Sequence, residues 1–210
     1  GTSYNNVNLN KLSVRLNLSR PRGIELAKRI VSVSDLVSEN MRPGAMNSLG
    51  LGYEALRQVR PDIVYISSSI RGATGRDVGF LGFVPASGAL SGLGELTGYS
   101  DGPPSYLLGE MDLINATWLA FAALAALNCR QRTGRGQYID LSQAEGVSVF
   151  IGGALMDYAM NGRVQTRRGN RDDIKAPHHC YPCRGEDNWI SIAIATDEEW
   201  QALCAAMGNP

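Results

Sequence analysis

The chain has 210 residues, of which 44% are hydrophobic and 19% charged, with 20 Lys plus Arg set against 20 Asp plus Glu. That supplies a sizeable core for one large domain, or for a domain and part of a second, and the balanced charge gives no global field to recruit nucleic acid or an anionic membrane. Four cysteines, two of them in predicted helices (Cys129 and Cys204), point to reduced thiols, and the apolar run Ala116 to Leu127 is short and alanine-rich for a bilayer span, so a cytoplasmic protein is expected.

Residues 1–10 show repeated Asn and no helical period, and Leu12, Val14, Leu16 and Leu18 then alternate as a short strand. Ser19, Pro21 and Glu25 start a helix whose apolar face is Ile24, Leu26, Ala27, Ile30 and Val31. A second strand is predicted over Asp35 to Ser38. Pro43-Gly44 breaks the chain, a short helix and then Tyr53 to Val59 follow, and Ile63 to Ser68 forms a third strand. Strand, helix, strand, helix, strand is the α/β pattern of a parallel sheet. In such sheets ligands bind beyond the carboxyl ends of the strands, which makes the turn Asn40-Met41-Arg42-Pro43-Gly44 a candidate cofactor contact as well as a turn.

From Gly72 to Pro104 the chain is rich in Gly, Ser and Pro, as a surface loop or a backbone folded around a ligand would be. A long helix follows. Leu113 to Leu127 is interrupted only by Asn115 and Thr117, which predicts a helix covered on most sides, with Asp112 at its mouth. Asp112 there can be an N-cap or a catalytic carboxylate, and the helix N-terminus favours its ionised form. Thr133-Gly134-Arg135-Gly136 makes a turn in which Gly134 or Gly136 is free to take positive φ. Gln137 to Leu141 is a strand, and Ser142-Gln143-Ala144-Glu145 a capping box opening a helix to about Met160. Arg163 to Lys175 is a charged, extended connection, and Trp189 to Ala195 a strand. The cluster His178-His179-Cys180-Tyr181-Pro182-Cys183 offers ligands but no converging second pair, so it is read as a turn into that strand, with no metal.

Five stretches in order carry a resemblance. They are Ser34 to Gly44, with Glu39-Asn40-Met41-Arg42-Pro43-Gly44 at its end; Leu49-Gly50-Leu51-Gly52-Tyr53-Glu54-Ala55-Leu56; Leu96-Thr97-Gly98-Tyr99-Ser100-Asp101-Gly102-Pro103-Pro104; Asp112; and Thr133-Gly134-Arg135-Gly136-Gln137 through Gln143. The chain resembles the family III CoA-transferases, the CaiB/BaiF family, over nearly all its length. The resemblance implies a Rossmann-like parallel-sheet domain with long helices and a linker to a smaller α+β domain: residues 1–162 a partial large domain, 163–176 the linker and 177–210 the start of the small domain. It also implies an interlocked homodimer. The chain is expected to be roughly the middle half of a family polypeptide, which alone need not turn over.

By the same resemblance Asp112 is the nucleophile and Asn40 and Met41 contact coenzyme A. The family commonly has an aromatic residue at the Met41 position, and Met can still pack on an adenine or pantetheine face. The implied reaction moves CoA from an acyl-CoA to a carboxylic acid through an aspartyl mixed anhydride and an aspartyl-CoA thioester, with no metal. Gly109 and the amides of the helix's first turn are candidate oxyanion donors. A racemase of the same fold would exchange an α-proton through a His and an Asp. The segment where those enzymes carry their His reads Gly82-Phe83-Val84-Pro85 here, which disfavours that alternative. A non-catalytic remnant or oligomerisation piece is the other alternative.

Overall fold

A computed structural model describes residues 2–107 and 110–208, which form two compact units: Gly1–Ser87 with Gly109–Gly146, and Gly88–Leu108 with Val147–Pro210. In chain order the elements begin with α1 (Thr2–Val7), α2 (Pro21–Ser32), β1 (Leu36–Glu39), α3 (Ala45–Ser48), α4 (Tyr53–Leu56) and β2 (Val64–Ser69). They continue with α5 (Val84–Leu90), α6 (Leu93–Leu96), α7 (Glu110–Thr133), β3 (Gln137–Ser142) and α8 (Gln143–Ser148). A 3-10 turn (Val149–Ile151), α9 (Gly152–Asn161), β4 (His178–Pro182), β5 (Trp189–Ala193) and α10 (Asp197–Ala206) complete the chain.

The first unit is built on a parallel sheet in the order β1-β2-β3, with Leu36 opposite Val64 and Val64 opposite Gln137. Side chains alternate between its faces. Val37 and Tyr65 face the cluster of Val31, Leu51, Leu56 and Ile63 from α2, α4 and their connections. Leu36, Val64, Ile66 and Ile139 face Leu119, Ala123, Ala126 and Leu127 of α7. The expected parallel α/β layer is therefore present, and its strands fall within a residue or two of the positions read from sequence.

Several expectations need correction. Residues 11–17 form no strand: Leu12 is 99% exposed and, among the described residues, no neighbouring strand pairs with this segment. Alternation alone cannot supply the ladder partner that a strand requires. The opening residues form the short helix α1, and the Gly-rich stretch holds α5 and α6. The helix expected to reach Met160 is divided into α8, the 3-10 turn and α9.

A further correction concerns α7. Its buried positions, Met111, Asn115 and Ala126, fall about one and then about three turns apart on one stripe, whereas Leu113, Phe121 and Leu124 are each more than 60% exposed. The helix is covered on one stripe, not on most sides. At 24 residues it is also long and apolar enough, by length and composition, to cross a membrane; the shorter Ala116 to Leu127 run understated it.

In the second unit β4 and β5 pair antiparallel, with His178 opposite Ala193 and Pro182 opposite Trp189. The cluster read as a turn is thus a strand, with His178 and Cys180 on one face and His179 and Tyr181 on the other. His179 packs edge-on to Tyr99 and Tyr181, and Cys180 Sγ lies 3.3 Å from Ser191 Oγ. The segment 163–176 runs within this unit. Arg167 ties it back to Glu95 at 2.5 Å and to the Gly102 carbonyl at 3.2 Å.

Candidate active site

The carboxyl ends of β1 and β2 carry the loops that shape the site. β1 ends at Glu39, whose Oε2 accepts the Met41 N–H at 2.7 Å and so turns the chain immediately after the strand. Gly44, with φ +84°, then caps α3 in a left-handed conformation that any side chain would strain. The Asn40–Pro43 segment between these two fixed points stands at the sheet's end, where an open α/β sheet receives ligands.

The loop after β2 is tethered from β3 and α8. Asp140 accepts the Ala73 N–H through both carboxylate oxygens, at 2.8 and 2.9 Å, and Ala144 N–H donates to the Ile70 carbonyl at 3.0 Å. Gly72, with φ +78°, lies so close that an added Cβ would stand 3.3 Å from Asp140 Oδ2. Farther along the same loop, Phe80, Leu81 and Phe83 are exposed apolar side chains, and Arg71 lies over the Phe80 ring at 5.9 Å.

Asp112 is the third residue of α7. Its side chain is exposed and, among the described residues, has no hydrogen-bond or ion partner. Neighbouring Met111 and Asn115 hold the first turns down: Met111 is buried, and Asn115 Nδ2 donates to the Met111 carbonyl at 2.8 Å. Trp118 Nε1–H donates to the Gly146 carbonyl at 3.0 Å, tying the next turn to the end of α8. Gly109 lies outside the described residues.

Two cavities meet at Asp112. One, of about 590 Å³, is lined by Asn40 to Pro43 on one side and Phe80 to Phe83 on the other, with Asp112 and Gln143. Arg42 is the single lysine or arginine among its described lining residues. The second, of about 350 Å³, lies against the α7 face of the sheet and includes Ser38, Ser68, Asn115 and again Asp112 and Gln143. The three site residues read from sequence, Asn40, Met41 and Asp112, thus come together at one cavity. Arg42 lies in the turn already read as a candidate cofactor contact, whereas the Phe80–Phe83 wall and Gln143 were not singled out as site residues; the one available signal was that each follows a strand at the carboxyl edge of a parallel sheet.

A third cavity, of about 530 Å³, opens on the opposite face of the sheet among Tyr53, Tyr65 and Tyr138, with Glu39 and Glu54. The three rings touch at centroid separations of 5.5 to 6.1 Å, and burial, with a smaller contribution from Glu39, pushes the Tyr65 hydroxyl's ionisation far up. Carboxylates and neutral hydroxyls, with no lysine or arginine among the described lining residues, suit a phosphate-bearing ligand poorly.

No histidine lines either cavity at Asp112 among the described residues, and Phe83 stands in the wall of the first. Nor do the described residues contain a cluster of three or more His, Cys, Asp or Glu able to hold a metal ion; the four cysteines are free. The chemistry available at Asp112 is that of an unpaired carboxylate at a helix start, flanked by the carboxamides of Asn40 and Gln143.

The whole chain, residues 1–210, matches the family model for CoA-transferase family III. It is 36% identical over 202 residues to the succinyl-CoA–D-citramalate CoA-transferase of Chloroflexus aurantiacus, covering 96% of this chain and 50% of that protein. It is 34% identical over 206 residues to the acetyl-CoA:oxalate CoA-transferase of Acetobacter aceti, covering 97% and 52%. Among solved structures, a CAIB/BAIF family protein from Brucella suis superposes with a TM-score of 0.86 at 28% identity, over 94% of this chain and 52% of that one. The chain spans about half the length of the relatives it matches. It belongs to CoA-transferase family III.

Proposed function

We propose that the protein is a CoA-transferase that moves CoA from an acyl-CoA to a carboxylic acid, with Asp112 as the nucleophile. The observation that carries this reading is the convergence of Asn40, Met41 and Asp112 on one cavity at the end of a parallel sheet. A carboxylate oxygen of Asp112 attacks the thioester carbonyl, forming a C–O bond, and the C–S bond breaks to release CoA thiolate. The thiolate then adds to the aspartyl carbonyl of the mixed anhydride, and the acyl group leaves as its carboxylate. The acceptor acid attacks the resulting aspartyl-CoA thioester, and the returning thiolate takes the acceptor's acyl group, regenerating Asp112. Asn40 and Met41 line the CoA arm of the site, and Arg42 offers the cation for its phosphates.

The named activities of the relatives, on citramalate, oxalate and similar acids, suggest small polar carboxylic acids as the acceptor class. The protein is proposed to work in the cytoplasm as a homodimer. Exposed Leu113, Phe121 and Leu124 of α7 and the open edge of β1 are surfaces that a second chain would cover. Light scattering at micromolar concentration is expected to give twice the chain mass, and a stable monomer would remove this part of the reading. For the chemistry, Asp112→Ala in the intact protein is expected to cut CoA exchange by about a thousandfold or more. Folding should be unaffected, because the exposed side chain has no partner to lose among the described residues. Near-normal exchange by a folded Asp112→Ala protein would reject the assignment.

A further inference from the structure

Gln143 opens α8 and lines both cavities at Asp112. Three residues are common to the two cavities that meet at Asp112: Asn40, Asp112 and Gln143. They stand on separate elements, namely the turn after β1, the first turn of α7 and the first residue of α8. For attack on a thioester, the two arms of the reacting carbonyl carbon, the acyl group and the CoA sulfur, must diverge from the nucleophile. The boundary between two cavities sharing that nucleophile offers the carbonyl a place with one arm in each. Each step then places negative charge on the carbonyl oxygen as a tetrahedral centre forms, and that charge needs a donor fixed in advance.

Gln143 has such a fixed backbone. The adjoining Ala144 N–H is held by the Ile70 carbonyl at 3.0 Å, and Ser142 Oγ accepts the Glu145 N–H at 3.4 Å. Its side chain is half-buried, and Nε2 donates to the buried Ser68 Oγ at 3.3 Å. A carboxamide carries two N–H donors. One is directed at Ser68 and, among the described residues, the other has no partner.

We propose that this second amide proton of Gln143 is a hydrogen-bond donor to the oxyanion formed when Asp112 attacks the thioester. The proposal rests on Asp112 being the nucleophile. Gln143 moves no proton and forms no covalent bond: as the carbonyl π pair moves onto oxygen, the N–H···O contact shortens, and it relaxes when the C–S bond breaks and the carbonyl reforms. The Ser68 contact orients the amide so that the donor is already aimed before the charge appears.

The test uses the intact protein with a CoA thioester donor and follows one turnover of CoA release, together with steady-state kcat and KM. Gln143→Met keeps the volume and removes both donors; Gln143→Glu keeps the shape and, when ionised, also has no donor. Both are expected to lower the single-turnover rate and kcat by about a hundredfold, with KM for the thioester changed less than threefold and the melting temperature nearly unchanged. Relative to the unsubstituted protein at the same pH, Gln143→Glu should regain rate as the pH falls toward about 4 to 5, where a protonated carboxyl again donates, and Gln143→Met should not.

Rates within threefold of the unsubstituted protein, a rise in KM at constant kcat, or unfolding of both variants would each overturn the donor role. Failure of the underlying reading is separable. Hydroxylamine trapping on the unsubstituted protein, if it leaves Asp112 unmodified, removes the nucleophile itself; modified Asp112 together with unaffected Gln143 variants removes only the donor.

Discussion

The two ends of α7 are held in opposite ways. At the carboxyl end Arg130, 14% exposed, bonds Asp35 Oδ1 at 2.7 Å and the Asp35 carbonyl at 3.0 Å, and reaches Asp62 at 3.7 Å. Arg60 braces the same two carboxylates from the other side, each at 3.0 Å. At the amino end Asp112 has no side-chain partner among the described residues and faces two cavities. About 27 Å of helix, at 1.5 Å per residue, separates Asp112 from Arg130. The helix is clamped at the end away from the cavities, and its buried stripe on β2 carries that constraint toward the end where the proposed function puts the nucleophile. A nucleophile tied into bonds of its own would have to break them to attack. Placing the fixing interactions at the far end and along the stripe leaves Asp112 positioned and unencumbered.

This contrast can be broken from the clamped end. Gly136 lies where an added Cβ would be 2.2 Å from the Ile63 carbonyl oxygen and 2.5 Å from the Asp62 carbonyl carbon, so β3 can approach β2 only with glycine there. Gly136→Ala should therefore cost about 2 to 4 kcal/mol of stability by forcing the backbones apart, read as a lowered urea midpoint. An unchanged midpoint would mean that the turn relaxes freely. Gly134 serves the same turn differently, through φ of +69° with open space around it.

A smaller effect is expected from Arg130→Met, which removes the ion pairs and keeps the apolar stem. The Arg130 guanidinium, through its hydrogen bond and then its charge, holds the Asp35 carboxyl below its ordinary value of 3.8; burial opposes this, and Arg60 adds lesser contributions in the same direction as Arg130. A lowered folded-state value means the stabilisation is present above pH 3.8 and is lost as pH falls through the depressed value. The melting temperature should fall by a few degrees in Arg130→Met at pH 6. The gap between the two proteins should then narrow toward pH 3, because the unsubstituted protein loses its advantage there. A gap that widens in acid would have the sign wrong.

Much of this was legible in the sequence, and the failures share a cause. Strands Val64–Ser69 and Gln137–Ser142 announced themselves by apolar β-formers between turn residues; the turn holding Asn40 and Met41 was found because it follows strand Leu36–Glu39, whereas Asp112 was found from its helix start and the family resemblance. Leu12 to Leu18 carries an equally good alternation and forms no strand, since a ladder is a property of two segments and only one was in view. The α7 error is similar. Residues apolar all round leave no amphipathic signal, so composition implied cover on most sides, and the one-stripe burial at Met111, Asn115 and Ala126 depends on which neighbours arrive. His178 to Pro182 was mistaken for a turn because its partner, Trp189 to Ala193, decides its pairing. Gln143 escaped notice as a site residue because a capping box explained it locally; only the sheet's geometry brings it beside Asp112.

The most direct measurement of the central claim is covalent trapping. The intact protein is incubated with an acyl-CoA, the acyl-enzyme or CoA-enzyme is quenched with hydroxylamine or borohydride, and peptides spanning the start of α7 are weighed by mass spectrometry. Modification confined to Asp112, appearing with acyl-CoA and absent with free CoA, is the expected result. A working enzyme whose Asp112 peptide stays unmodified under turnover, or a modification on another carboxylate, would contradict it.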